Sequence, residues 1–380
     1  MTSLAKGGVV FVVALVLGSA ALVGCVPVGA AGCSGTRFPL RVLAEARGKT
    51  IGTAFRPQYA VYDPCYASAA AHDFNSLTPE IATFPNAIAT APGVHNFADA
   101  DSVCAFAKAR RMTCQVHDLV WDPLTHPEWG IVPQWIRSEP PSARRATMID
   151  LVTQVATHFR GRVDYYNLVN EAFDDNGGLA PTIWNTSGDD SYIFDAFRAA
   201  RRADPYAEML YNDYGDEGIN AKSNAIFSLA VRLHAETEAV QVYGHTVQRP
   251  LLDGVGLQMH VGTGPSEAPT PAAVAQNLAR LRKAGLSARF TEMDVRTPTV
   301  NGVVSSSNLA RQRALYTDLV GTCVAASNCH SITFWGFTDA HSWINDYPAS
   351  FNGEAAADLF TRQYQPKPAY HGVQTALVMP

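Results

Sequence analysis

Two glutamates in this 380-residue chain follow short β-rich runs and keep polar company: Glu171 directly after Asn170, and Glu292 between Thr291 and Asp294. Two carboxyls facing one another suit the cleavage of a glycosidic bond, in which one gives a proton and the other attacks the anomeric carbon. The attacker must stay ionised while the acid keeps its proton, so their surroundings must drive the two pKa values apart. His260 is the candidate for holding Glu292 ionised. Carboxyls about 5–5.5 Å apart give retention of configuration, and about 6.5–9.5 Å gives inversion. Each glutamate alone has a plainer reading: Glu171 as a cap on the helix that follows, and Glu292 as the ion-pair partner of Arg296.

Other residues of the right types fall at the ends of similar runs. These are Glu80, His117 and Trp121, Asn212 to Tyr214, Gln258 with His260, Asp294, and then Trp335, Thr338 and Asp339. Trp335 and Trp343 bracket one loop and suit a sugar-stacking platform. Trp135, Tyr165 and Tyr166 read as packing residues, and Asp294 and Asp339 as ion-pair partners that shape the site. His117 and His260 are read as supporting groups around the nucleophile.

Elements that could hold such residues on one rim recur along the chain. Runs at 50–54, 73–77, 113–120, 162–169, 208–211, 254–260, 288–293 and 331–337 read as strands. Helical spacing lies between them. Met148, Leu151, Val152, Val155 and Phe159 share one helix face. Later helices carry Ile193, Phe194 and Phe197, then Ile226, Leu229 and Leu233, then Val274, Leu278 and Leu281, and finally Leu309, Leu315 and Leu319. Eight strands alternating with helices predict an α/β fold, either a closed barrel or an open doubly wound sheet. Neither GxGxxG nor GxxxxGK[ST] occurs, so a (β/α)8 TIM barrel is preferred, with its active site at the strand C-termini. The stretches 122–135 and 176–187 read as long loops over the barrel mouth. No linker or change of composition follows Cys33, which predicts a single catalytic domain over 31–380.

The segments FNSLTPE, VHDLVW, LVNEAF, LYNDYG, GVGLQMH, FTEMD and ITFWGFTDAHSW stand in this order between GKTIGTAF and YQPKPAY. In that order the chain resembles glycoside hydrolase family 10, the xylanase family, over nearly all of its length after the leader. The resemblance implies a retaining endo-acting hydrolase of β-1,4-xylosidic bonds, with Glu171 as acid/base and Glu292 as nucleophile. It further implies Asn170 on the sugar 2-hydroxyl and His260 against the nucleophile. Gln258, His117, Trp121 and Trp335 would complete the subsite beside the cleaved bond, with Glu80, Tyr214 and Trp343 as further substrate contacts. A Cys323–Cys329 bridge also resembles the family. The chain departs from the pattern after Glu80, where Ile81 and Phe84 stand in place of an asparagine and a lysine that grip the non-reducing-side sugars. Asp122 likewise replaces a histidine. These changes spare the hydrolytic pair and bear on xylan specificity. They motivate two alternatives: the same machinery on another β-glycan or oligosaccharide, or a surface lipoprotein that binds glycans without cutting them.

A net charge of −5, from 29 Lys+Arg against 34 Asp+Glu, offers no basic stripe for a nucleic acid. Lys6 precedes an apolar run at 7–24 that reads as a signal peptide within a leader at 1–30. Its end has two readings: lipidation of Cys25 after Leu22-Val23-Gly24, or cleavage after Ala30. Export, with release or anchoring outside the membrane, is therefore expected. Setting Cys25 aside from the seven cysteines leaves Cys33, Cys65, Cys104, Cys114, Cys323 and Cys329. Six permit about 15 connectivities. Short-range pairing suggests Cys104–Cys114 and Cys323–Cys329, leaving Cys33–Cys65. Neither metal nor cofactor is expected, and the chain is read as a monomer acting on a polysaccharide or oligosaccharide.

Overall fold

Strand-forming runs that are apolar on one side and small or polar on the other curl into a ring when every strand finds two neighbours. In the computed structural model, which describes Cys33 and residues 37–379 apart from 125, 348, 349 and 352, this happens with eight parallel strands. They are β1 (Thr50–Phe55), β2 (Ser76–Pro79), β3 (Thr113–Cys114, resuming at Val116–Val120), β4 (Tyr165–Asn170), β5 (Glu208–Asp213), β6 (Gly254–Leu257), β7 (Ser287–Pro298) and β8 (Cys329–Phe334). The first part of β3 pairs with β2 and the second with β4. β8 pairs with β1, and the ring is complete. A helix follows each strand: α1 (Pro64–Asp73), α2 (Ala98–Ala109), α3 (Pro141–Phe159), α4 (Ser191–Ala203), α5 (Ala221–Ala235), α6 (Pro271–Lys283), α7 (Ser306–Ala325) and α8 (Pro368–Val378).

The helices bury their apolar faces on the ring. α3 inserts Met148, Leu151, Val152, Val155 and Phe159, the face its spacing predicts. α5 and α6 likewise bury Ile226, Leu229 and Leu233, and Val274, Leu278 and Leu281. On α7 the face is rotated from the expected one. Gln312, Tyr316, Leu319, Val320 and Cys323 are buried, while Leu309 and Leu315 are only partly covered. The cause is polar: Gln312 Nε2 donates to the Val295 and Ala356 carbonyls, and the Tyr316 hydroxyl to the Ala357 carbonyl. Such bonds satisfy backbone groups that would otherwise be buried alone.

Several boundaries differ from expectation. Asp73 ends α1 instead of opening β2, because its carboxylate is held by Arg37 and by the Tyr370 hydroxyl. β8 stops at Phe334, since Gly336 takes φ +102° and turns the chain outward after Trp335. β6 stops at Leu257, and Met259 enters the left-handed region at φ 68° before His260–Gly262 pairs with the extension of β7. An added hairpin, Thr237–Val242 with His245–Pro250, lies between α5 and β6. All three expected disulfides form: Cys33–Cys65, Cys104–Cys114 and Cys323–Cys329. Cys25 and the leader lie outside the described residues. Among those described, no helix is long and apolar enough to cross a membrane.

Candidate active site

The C-terminal ends of the strands surround a cleft of about 720 Å³, a volume in the range that takes small ligands. Every residue expected to touch substrate lines it: Glu80, His117, Trp121, Asn170, Glu171, Tyr214, Gln258, His260, Glu292, Trp335 and Trp343. They come from seven of the eight strands or the loops that follow them.

Glu171 sits one residue beyond β4 with φ 54°, a conformation rare for a non-glycine residue and one that concentrates at functional sites. Its backbone N–H donates to the Asn212 carbonyl on β5. The side chain accepts from Trp121 Nε1 at 3.0 Å and Gln258 Nε2 at 3.0 Å. These are single neutral donors, and burial outweighs them; with the nearby Glu292 charge, it raises the Glu171 pKa above the ordinary glutamate value.

Glu292 on β7 has the opposite surroundings. Burial alone would raise it, but His117, then the hydrogen bond and charge of His260, and a hydrogen bond from Asn212 together hold it below the ordinary value. Asn212 Nδ2 lies 2.7 Å from Glu292 Oε1 and His260 Nε2 3.2 Å from Oε2. Burial would also lower His260, yet Asp294 at 2.6 Å from Nδ1, with Glu292, raises it to about 10. The result is an imidazolium wedged between two carboxylates. Arg296, the plainer partner considered for Glu292, pairs with Glu354 instead.

The two glutamates are joined by a relay of amides. Gln258 Nε2 donates to Asn170 Oδ1 at 3.1 Å, and Asn212 Nδ2 donates to the same oxygen at 2.8 Å. With both donors taken there, the Asn170 amide nitrogen lies 3.3 Å from Glu171 Oε1, at the cleft surface. Asn212 reaches this position because β6 carries Gly256 beside it: a Cβ there would stand 2.2 Å from Asn212 Oδ1. Thr291 Oγ1 fixes that oxygen at 2.6 Å.

Aromatic walls flank the carboxyls. Trp335 meets His117 edge-on at 4.6 Å, and Trp343 donates its indole N–H to Asp294. Trp129, Tyr347 and Phe351 extend the wall outward. Tyr214 lies under the Lys222 ammonium at 3.5 Å. Trp135 packs against the core with its N–H on the Ala89 carbonyl, while Tyr165 and Tyr166 are buried as expected. Asp339 pairs with Lys367. Asp122 pairs with Arg137 and accepts from the Ile183 N–H, tying two loops together away from the cleft.

The replaced segment after Glu80 has its own solution. Phe84 is largely buried against Trp121. A cation does reach Glu80: Arg56, next after β1, lines the cleft and places Nη2 2.5 Å from Glu80 Oε1. Sequence reasoning missed Arg56 and gave Asn212 no role. Both occupy strand C-termini, the position that selected the other residues.

A profile of Glycosyl hydrolase family 10 matches residues 39–376. Endo-1,4-beta-xylanase B of Thermotoga neapolitana is 32% identical over 355 residues, 93% of this chain and 94% of its own. Endo-1,4-beta-xylanase A of Fusarium oxysporum is 32% identical over 307 residues, 79% of this chain and 86% of its own. Among solved structures, native xylanase 10B from Thermotoga maritima superposes with a TM-score of 0.79 at 32% identity, covering 90% of this chain and 98% of that one. The xylanase 10B of Thermotoga petrophila, solved in complex with xylobiose, matches with the same score and coverage.

Proposed function

The chain belongs to glycosyl hydrolase family 10, and from that premise we propose that Glu171 and Glu292 divide the reaction between them as acid/base and nucleophile. The protein is a retaining endo-1,4-β-xylanase-type hydrolase that cleaves internal β-1,4-xylosidic bonds of xylan by double displacement. The observation that carries the residue assignment is the opposite displacement of two buried carboxyls on one rim, Glu171 upward and Glu292 downward.

Glu171, protonated, gives its proton to the leaving oxygen as Glu292 attacks the anomeric carbon. Glu171, now ionised, then draws a proton from the water that frees the sugar. Asn170 holds the sugar 2-hydroxyl, His260 keeps Glu292 charged, and His117, Gln258, Trp121 and Trp335 enclose the same sugar. Arg56 and Glu80 offer a donor and an acceptor to the glycone beyond it, with Trp343 and Tyr214 completing the walls. The protein's own carboxyls supply both proton and nucleophile, so no step calls for a metal.

The alternative of binding without turnover is not favoured, because a binding site needs no such split between two carboxyls. Three disulfides support folding in an oxidising, extracytoplasmic compartment. We read 31–380 as one monomeric catalytic domain behind the leader at 1–30, ending either in a lipid anchor on Cys25 or in cleavage after Ala30.

The pH dependence tests the assignment. Lowering the pH through the depressed Glu292 value neutralises the nucleophile, and raising it through the elevated Glu171 value removes the acid's proton. The rate of xylan cleavage is therefore expected to be bell-shaped, with its acid limb below and its alkaline limb above the ordinary glutamate range. Reducing-sugar release followed across pH, with the first-formed anomer read by NMR, should give this bell and a β-product. An α-product, or a rate that climbs steadily into alkali, would contradict the reading.

A further inference from the structure

One buried carboxyl beside the reacting pair has no part in this scheme. Asp118, on β3 next to His117, is fully buried, and neither of its oxygens has a hydrogen-bond partner. His117 Nε2 lies 3.5 Å from Asp118 Oδ2, and His117 Nδ1 lies 3.7 Å from Glu292 Oε1. The His117 ring thus stands between Asp118 and the nucleophile.

We propose that Asp118 is a positioning residue which, as a neutral carboxylic acid, donates its O–H to His117 Nε2 and so fixes the His117 proton on Nδ1, facing Glu292. An ionised carboxylate with no donor would be heavily penalised in such a place. The titratable carboxyls facing it are Glu292 on β7 and Glu171 just beyond β4. Burial first, then these two, push Asp118 well above the ordinary aspartate value. Burial lowers His117 against the opposing pull of Glu292, with His260 adding to the effect, which favours the uncharged ring with one lone pair to receive the Asp118 proton. With that lone pair on Nε2, the only N–H is at Nδ1. The positive end of the ring dipole, at Nδ1–H, then faces Glu292 Oε1 at 3.7 Å and favours its ionised form, opposite the His260 imidazolium. The Asn167 amide stands 3.1 Å from Nδ1, and this arrangement requires it to present its oxygen there, which otherwise has no donor, in place of its nitrogen.

The inference rests on Glu292 being the nucleophile, and its test separates the two claims. Asp118→Asn keeps a donor for Nε2, whereas Asp118→Leu keeps the volume without one. We expect Asp118→Asn to retain the parent kcat and acid limb. Asp118→Leu should lower kcat on an aryl xylobioside about tenfold, the scale of one buried hydrogen bond, with KM little changed and the acid limb moved to higher pH. Equal impairment of both variants would mean that Asp118 acts as an anion and would overturn the proposal. So would a parent-like acid limb in Asp118→Leu, whatever its melting temperature. Infrared difference spectra of the parent against Asp118→Asn need neither the leucine variant to fold nor the nucleophile assignment to hold. A protonated-carboxyl stretch in the parent at neutral pH is expected, and its absence would refute the proposal.

Discussion

Glutamine in place of Glu292 is expected to lower kcat/KM on xylan on the order of 10^5-fold, the scale seen when a covalent nucleophile is deleted. The amide has nearly the same shape and can still meet Asn212 and His260, but it cannot form the glycosyl ester. Binding should suffer far less, because the sugar contacts assigned to Asn170, Gln258, His117 and the tryptophans stay in place. Steady-state kinetics on xylan, beside calorimetric affinity for xylobiose, separates these effects. A loss below tenfold with the fold intact would remove Glu292 from the covalent step.

Alanine at Glu171 should behave differently on different substrates. On xylan, whose leaving group needs a proton, a loss of about 10²–10⁴-fold is expected. An aryl xylobioside with an acidic phenol leaves without help, so its first step should survive while the second, lacking a base, becomes slow. The expected signs are a burst of phenol, a lowered KM, and turnover restored by azide, an anion that attacks without general-base assistance. Equal losses on both substrates and no response to azide would assign the proton transfer elsewhere. The buried, weakly solvated position of Glu171 underlies the expectation, since that environment raises its pKa above the ordinary glutamate value and so favours the protonated acid.

Much of the barrel is legible in the sequence because its helices are amphipathic and its strands are short and bounded. The α3 face can be read residue by residue from Met148 to Phe159. The face of α7 cannot, because the residues that turn inward there, Gln312 and Tyr316, do so to satisfy backbone carbonyls of the β7 extension and a distant loop. Tertiary hydrogen bonds override the pattern of Leu309 and Leu315. The hairpin at 237–250 left a signal in the alternation of Val240 and Val242 around a Tyr243-Gly244 turn, both residues at positive φ.

The site follows the same division. Glu171 and Glu292 stand out because they follow β-rich runs in company that suits the chemistry, but the forces that separate their pKa values come from burial and from His117, His260 and Asn212 on β3, β5 and the segment after β6. Asn212 owes its reach to Gly256 on the neighbouring strand, a relation with no trace in either segment alone. Arg56, about 28 residues before Phe84, brings a cation to Glu80 from the end of β1, a pairing that the segment after Glu80 does not reveal. The partnerless burial of Asp118 likewise emerges only when β3, β4 and β7 close around it.

The central claim is that Glu292 forms the covalent bond to the sugar. A 2-deoxy-2-fluoroxylobioside with a good leaving group slows both steps, the second most, so the parent enzyme should accumulate the intermediate. Digestion and mass spectrometry should then find one fluoroxylobiosyl group, on the peptide containing Glu292, and none in Glu292→Gln. A label on Glu171, Glu80 or any other carboxyl, or turnover of this substrate with no adduct at all, would contradict the account.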